Sequence, residues 1–123
     1  MRRAWLAAAA IGGFLSVAAG AVAAHLAKGD PRAAELLRTG ALYGMVHAVA
    51  LLAAAAIAER DDRPRLLSAI AGWSFVAGIF LFSFSLFALA LTGLTWFANV
   101  TPFGGAALLI GWAAFGLYAV RRG

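Results

Sequence analysis

Four long apolar stretches alternate with short polar clusters along the chain: Ala4 to Leu26, Thr39 to Ala58, Leu66 to Thr92 and Phe103 to Val120. None of the four contains Asp, Glu, Lys or Arg. Helical residues rise about 1.5 Å each, so roughly twenty of them cross the ~30 Å hydrocarbon core of a bilayer. Each stretch is apolar on every face, which a short amphipathic helix of a soluble protein does not need to be. The third is longer than a perpendicular span requires, so it tilts or projects into the interface. The pattern predicts an all-α integral membrane bundle of four transmembrane helices in one domain, residues 1–123, with spans near 4–26, 39–58, 66–92 and 103–120.

The connections carry their own signals. Arg2 and Arg3 precede the first stretch, and the small residues around Ala19-Gly20-Ala21 and Val22-Ala23-Ala24 also fit a cleavable leader. The apolar region of a leader usually runs about 7 to 15 residues, and this one is long enough to span, so an intact first helix is favoured. Asp30-Pro31 is a helix start: Asp accepts from early backbone N–H groups and Pro suits the first helical position. The helix is expected to continue through Leu36 and Leu37 into the second span. Glu59 to Arg65 is almost wholly charged and contains Pro64, so it is a solvated loop. Gly93 to Thr101 is expected to be a loop at the membrane surface with Trp96 in the interfacial belt, and Thr101-Pro102 to begin the last helix. Small residues mark packing faces: Gly12, Ser16, Gly20 and Ala24 every fourth residue on the first helix, Gly40 and Gly44 on the second, Gly78 on the third, Gly111 on the fourth. Ser74, Gly78, Ser85 and Thr92 fall within one narrow helical sector and are expected to face a neighbour.

Composition agrees. The 123 residues are 64% hydrophobic with a mean hydropathy of +0.91, well above the ~45 to 50% apolar content of soluble domains. There is no cysteine, which excludes disulfides, thiolate metal sites and a cysteine nucleophile. A net charge of +5 would suggest nucleic acid in a soluble protein. Here the basic residues cluster between the spans, as orientation determinants do. Arg2, Arg3, Arg60, Arg63, Arg65, Arg121 and Arg122 fall on one side, against Lys28, Arg32 and Arg38 on the other. The positive-inside rule then places both termini in the cytoplasm of a cell-membrane protein.

His47 is the sharpest chemical feature. An imidazole in hydrocarbon must find a partner or stay neutral, and ionisable groups at that depth are functional candidates. Tyr43 and Thr39 lie one and two turns earlier on nearly the same face, and with Ser85 and His25 they complete the candidate polar set. One reading is a proton-accepting or ligand-binding stripe. The other is a neutral His47 hydrogen-bonded to Tyr43, to a serine of the third span or to a backbone carbonyl, serving helix packing. His25 and His47 differ in depth by about 12 Å, which argues against a paired metal or haem site. No carboxylate lies in any span, and neither a phosphate-binding glycine loop nor a Ser-His-Asp spacing occurs. No catalytic residue, metal or cofactor is therefore expected.

Several blocks together resemble one known family: Gly20-Ala21-Val22-Ala23-Ala24-His25, then Thr39-Gly40-Ala41-Leu42-Tyr43 with His47-Ala48, then Phe82-Ser83-Phe84-Ser85-Leu86 with Leu91-Thr92-Gly93, and finally Thr101-Pro102-Phe103-Gly104-Gly105 with Gly111-Trp112. They cover nearly the whole chain and resemble, in order, the YgdD-like small membrane proteins, a domain of unknown function. The resemblance implies four transmembrane helices and no established activity. This chain has Gly44 where the family often has Gln, Phe84 where Gly is usual and Phe87 where Tyr is usual, so no mechanism using those polar groups carries over.

Two classes of function remain. One is a non-enzymatic membrane component, an assembly or stabilising subunit that binds other membrane helices or itself, with no nucleic-acid role. The alternative is a small homo-oligomeric transporter or channel. The lack of a buried acid favours the first.

Overall fold

The computed structural model describes residues 2–26, 28–60 and 66–122. These residues form helices α1 (Arg2–Leu26), α2 (Pro31–Arg60), α3 (Leu66–Gly78), a π-helical segment (Ile79–Phe84), α4 (Ser85–Thr92) and α5 (Trp96–Arg122), with no strand among them. α3, the π segment and α4 together make the third span, so four helical rods are long and apolar enough to cross a membrane. Residues 61–65, the centre of the charged loop, lie outside the described residues.

α1 packs along α2, and α3 packs along α5. α2 touches α3, the π segment and α4, which joins the two pairs. Lipid tails are as apolar as Leu, so the helices gain little hydrophobic energy by meeting; close van der Waals packing holds them instead. The buried positions accordingly favour alanine. One cluster gathers Trp5, Ala8, Ala48, Leu51, Phe75 and Ile79 among its members, and a second gathers Ala19, Ala23, Ala34, Leu37 and Ala41.

The α1–α2 turn follows the expected chemistry. Asp30 Oδ1 accepts from the Ala33 N–H at 3.1 Å, Pro31 is the first helical residue, and α2 runs unbroken into the span. The α4–α5 connection is tighter than expected. Gly93 takes φ 73°, which favours glycine, and its N–H bonds the Leu89 carbonyl at 2.9 Å, ending α4. α5 then starts at Trp96, not at Thr101-Pro102, so most of the expected surface loop is the first turns of a helix that contains Pro102. Proline lacks an N–H and costs a helix one backbone bond. The bond missing here is the one to the Ala98 carbonyl, four residues back. Thr101 sits beside it, with Oγ1 within 3.3 Å of the Phe97 carbonyl and 2.6 Å from Ser85 Oγ of α4.

The π segment is the other departure. Its wider turn shifts the register of the third span, so the sector drawn through Ser74, Gly78, Ser85 and Thr92 does not stay on one face. Gly78 and Ser85 are buried, Ser74 is half-buried and Thr92 is exposed, its hydroxyl donating to the Ala88 carbonyl. α5 makes its closest backbone approach at this segment. A Cβ added to Gly104 would collide with the Phe82 nitrogen and the Leu81 carbonyl carbon.

Of the glycines expected at packing faces, Gly44 lies under Ser16 of α1, Gly78 under Leu108, and Gly111 against Phe75 at 2.5 Å from its would-be Cβ. Gly40 faces Phe87, and Gly12 faces Ile79 at 3.0 Å. Gly20 corrects the four-residue ladder: nothing lies within 4 Å of its would-be Cβ, and Ala24 is exposed. The first-helix seam drifts off that ladder because its buried positions, among them Trp5, Ala8, Gly12, Ser16, Ala19 and Ala23, mix steps of three with steps of four.

Gly104→Ala should lower thermal stability in mild detergent, because the added methyl meets backbone that cannot rotate away; overpacking of this kind costs about 1 to 3 kcal/mol. Gly116→Ala, where the methyl meets open space, should leave the melting temperature unchanged or slightly raised.

Candidate functional site

His47 lies sixteen residues after Pro31 on a helix of 30 residues, about 24 Å along it and near the middle of the bilayer. The chain buries it at 5% exposure between its own helix and the third and fourth spans. Its Nδ1 lies 2.6 Å from the Tyr43 carbonyl, one turn back. Its Nε2 lies 3.0 Å from the indole Nε1 of Trp112 on α5. An indole N–H only donates and a carbonyl only accepts. The imidazole is therefore neutral, with the proton on Nδ1 and the lone pair of Nε2 taken by Trp112. Both nitrogens are satisfied, and a second proton on Nε2 would face the indole N–H.

Aromatic rings hold this arrangement. His47 stacks on Tyr43 at 6.1 Å and lies 5.7 Å from Phe75 and 5.8 Å from Trp112, while Phe75 and Trp112 meet edge to face at 5.1 Å. Gly111 makes room for Phe75 one residue before Trp112. The bond joins α2 and α5, which otherwise barely approach each other. A cleft of about 380 Å³ opens between them, lined by Tyr43, His47, Phe82, Gly105, Leu109 and Trp112 with Leu108. It faces the bilayer, since Leu109 and Trp112 are exposed.

The five residues expected to form one polar set fall into separate places. His47 and Tyr43 are together, through the Tyr43 carbonyl and ring stacking. Thr39 lies two turns nearer the α1–α2 turn and lines a different cleft. Ser85 donates to the Phe82 carbonyl at 2.9 Å and shares a hydrogen bond with Thr101. His25 is exposed near the end of α1, with Nδ1 2.9 Å from the Ala21 carbonyl. Among the described residues no group of three His, Cys, Asp or Glu is arranged to hold a metal ion. Sequence reasoning missed Trp112 as the partner of His47, and Thr101 as that of Ser85. It also missed a second polar point: the Ser16 and Ser83 hydroxyls both approach Gly44, fully buried, with no hydrogen-bond partner among the described residues. Trp112 is 65 residues from His47, and its one hint in the sequence is an indole at mid-span, away from the interfaces where Trp concentrates.

Four membrane-crossing helices with a buried, fully paired imidazole define a polytopic α-helical membrane protein. Residues 19–105 match the family described as "Protein of unknown function (DUF423)", and the chain belongs to that family. It is 40% identical over 114 residues to a UPF0382 membrane protein of Haemophilus influenzae, covering 91% of this chain and 90% of the relative. The UPF0382 inner membrane protein YgdD of Escherichia coli is 40% identical over 118 residues, covering 92% of this chain and 86% of the relative. The UPF0382 membrane protein YwdK of Bacillus subtilis is 35% identical over 114 residues, with 91% and 92% covered. The resemblance read from the sequence blocks is thereby confirmed. No solved structure matches the chain.

Nitrogen NMR of the imidazole in a bilayer should show one tautomer, protonated at Nδ1, unchanged between about pH 6 and 8 where an unperturbed histidine titrates. Trp112→Phe keeps an aromatic ring and removes the donor to Nε2, so it should cost about 1 kcal/mol of stability. An Nε2-protonated signal in the unaltered protein would contradict the pairing.

Proposed function

We propose that the protein is a non-catalytic component of the cell membrane, an assembly or stabilising subunit whose outer faces bind other membrane helices. The observation that carries this reading is the closed pairing of His47. A proton carrier needs a group free to take up and release a proton along a path, and both nitrogens of this imidazole are engaged within the bundle. Ser85 and Thr101 are likewise paired with each other. The outward surfaces are wide by comparison: less than half of each span is buried within the chain, and α5 presents Phe103, Leu109, Leu117 and Val120 outward. Apolar helix faces of that extent suit partner helices or a second copy of the chain, as well as lipid. In the sequence the basic residues cluster between the apolar runs, which fits orientation determinants better than a nucleic-acid surface.

The same charges, seven basic residues against three, support an orientation with both termini cytoplasmic. A reporter fused after Gly123 should be active on the cytoplasmic side. Purification in mild detergent tests the function itself. Foreign membrane subunits should co-purify in fixed proportion. A pure homo-oligomer that carries solute or proton flux in liposomes would overturn the reading in favour of a small transporter or channel.

A further inference from the structure

A second cleft, of about 460 Å³, lies between α1 and α2 at the end of the bundle that carries the α1–α2 turn. Glu35, Arg38, Thr39, Leu42 and Met45 line its α2 wall, recurring at three- and four-residue steps along one helix face. On the α1 wall Gly20 presents no side chain, and nothing lies within 4 Å of where one would begin. The notch that breaks the expected packing ladder is thus what keeps this cleft open.

Its charges are set at a definite depth. Thr39 begins the charge-free run of α2, so Arg38 sits at the hydrocarbon border and Glu35 about 4.5 Å farther out, three residues along the helix. Both side chains are exposed, and among the described residues neither makes an ion pair or hydrogen bond. Below them Leu42 and Met45 are apolar and exposed. From the bilayer outward the cleft therefore offers an apolar wall, then a cation with a hydroxyl beside it, then an anion.

We propose that this cleft binds a phosphoethanolamine-headed lipid. A phospholipid presents its groups in the complementary order: acyl chains, phosphate, then amine. Arg38 and Thr39 donate to phosphate oxygens, the primary ammonium donates to the Glu35 carboxylate, and an acyl chain lies over Leu42 and Met45 beside Gly20. A phosphatidylglycerol headgroup has no cation for Glu35 and leaves that carboxylate beside a phosphate. A choline headgroup has a cation without an N–H to donate. The neighbouring cleft on the α4 side does not share this order: it is lined by Arg32 and by Asp30, whose Oδ1 already caps α2.

The test is native mass spectrometry of the full chain released from detergent with phosphatidylethanolamine, phosphatidylglycerol and phosphatidylcholine of identical acyl chains. The unaltered protein should retain the ethanolamine lipid about three- to fivefold better than either other lipid, the range exposed charge contacts supply. Glu35→Gln should abolish the preference over phosphatidylglycerol while phosphate binding persists. Arg38→Gln should reduce retention of all three lipids, and Arg32→Gln should change nothing. Equal retention of the three lipids by the unaltered protein, stronger retention of phosphatidylglycerol, or an ethanolamine preference that survives Glu35→Gln would each overturn the assignment. All three substituted side chains are exposed, so circular dichroism should report unchanged helix content.

Discussion

Everything in this bundle depends on how closely its helix backbones approach. Inside a bilayer apolar surface gains little by leaving lipid for protein, so helices associate through short-range packing and a few polar bonds. Short-range attraction falls steeply over a fraction of an ångström. The chain meets that requirement with missing side chains: Gly44 beneath Ser16, Gly72 beneath the buried Trp5, Gly78 beneath Leu108, Gly104 against the backbone of the π segment. Large residues are then seated on these flat places, with Trp5, Phe75, Leu51 and Ile79 almost wholly enclosed.

Close packing in turn decides which polar groups can meet. α2 and α5 flank the third span without packing on each other, yet the indole of Trp112 reaches across to His47. That reach works because ring contacts hold both ends: Phe75 packs against both rings, and Gly111 admits Phe75. In hydrocarbon an unpaired ring nitrogen has no water to turn to, so the bond fixes the tautomer and the separation of the two helices together. Ser85 and Thr101 repeat the device nearer the α4–α5 turn, where Pro102 has already removed one backbone donor from α5.

The result is a molecule whose paired polar groups, His47 with Trp112 and Ser85 with Thr101, lie inside, while its exposed surface is apolar at mid-depth and charged at the ends. Two of the places where the surface departs from a uniform apolar coat are clefts beside α2. One exposes the edges of Tyr43 and Trp112 to the bilayer, and the other sets Arg38 and Glu35 in order above an apolar wall. Both exist because small residues, Gly105 and Gly20, leave a neighbouring wall thin.

The sequence by itself determined the four crossings, the turn at Asp30-Pro31 and the need of His47 for a hydrogen-bond partner inside the bundle. Those follow from local terms: hydropathy over twenty residues, the fit of Asp and Pro to a helix start, and the cost of an imidazole in hydrocarbon. Only the tertiary structure decided where α5 begins, because Thr101-Pro102 reads as a helix start in isolation and instead lies inside a helix that already began at Trp96. The π segment is equally a product of packing, since no residue of Ile79–Phe84 forbids an ordinary α-helix and the closest approach of α5 falls on it. The fate of each small residue was decided the same way: Gly20 and Gly44 are alike in the sequence, but one faces an empty notch and the other a neighbouring serine. The partner of His47 was beyond local reasoning for the plainest reason, that a hydrogen bond between residues 65 apart exists only after three helices have been placed.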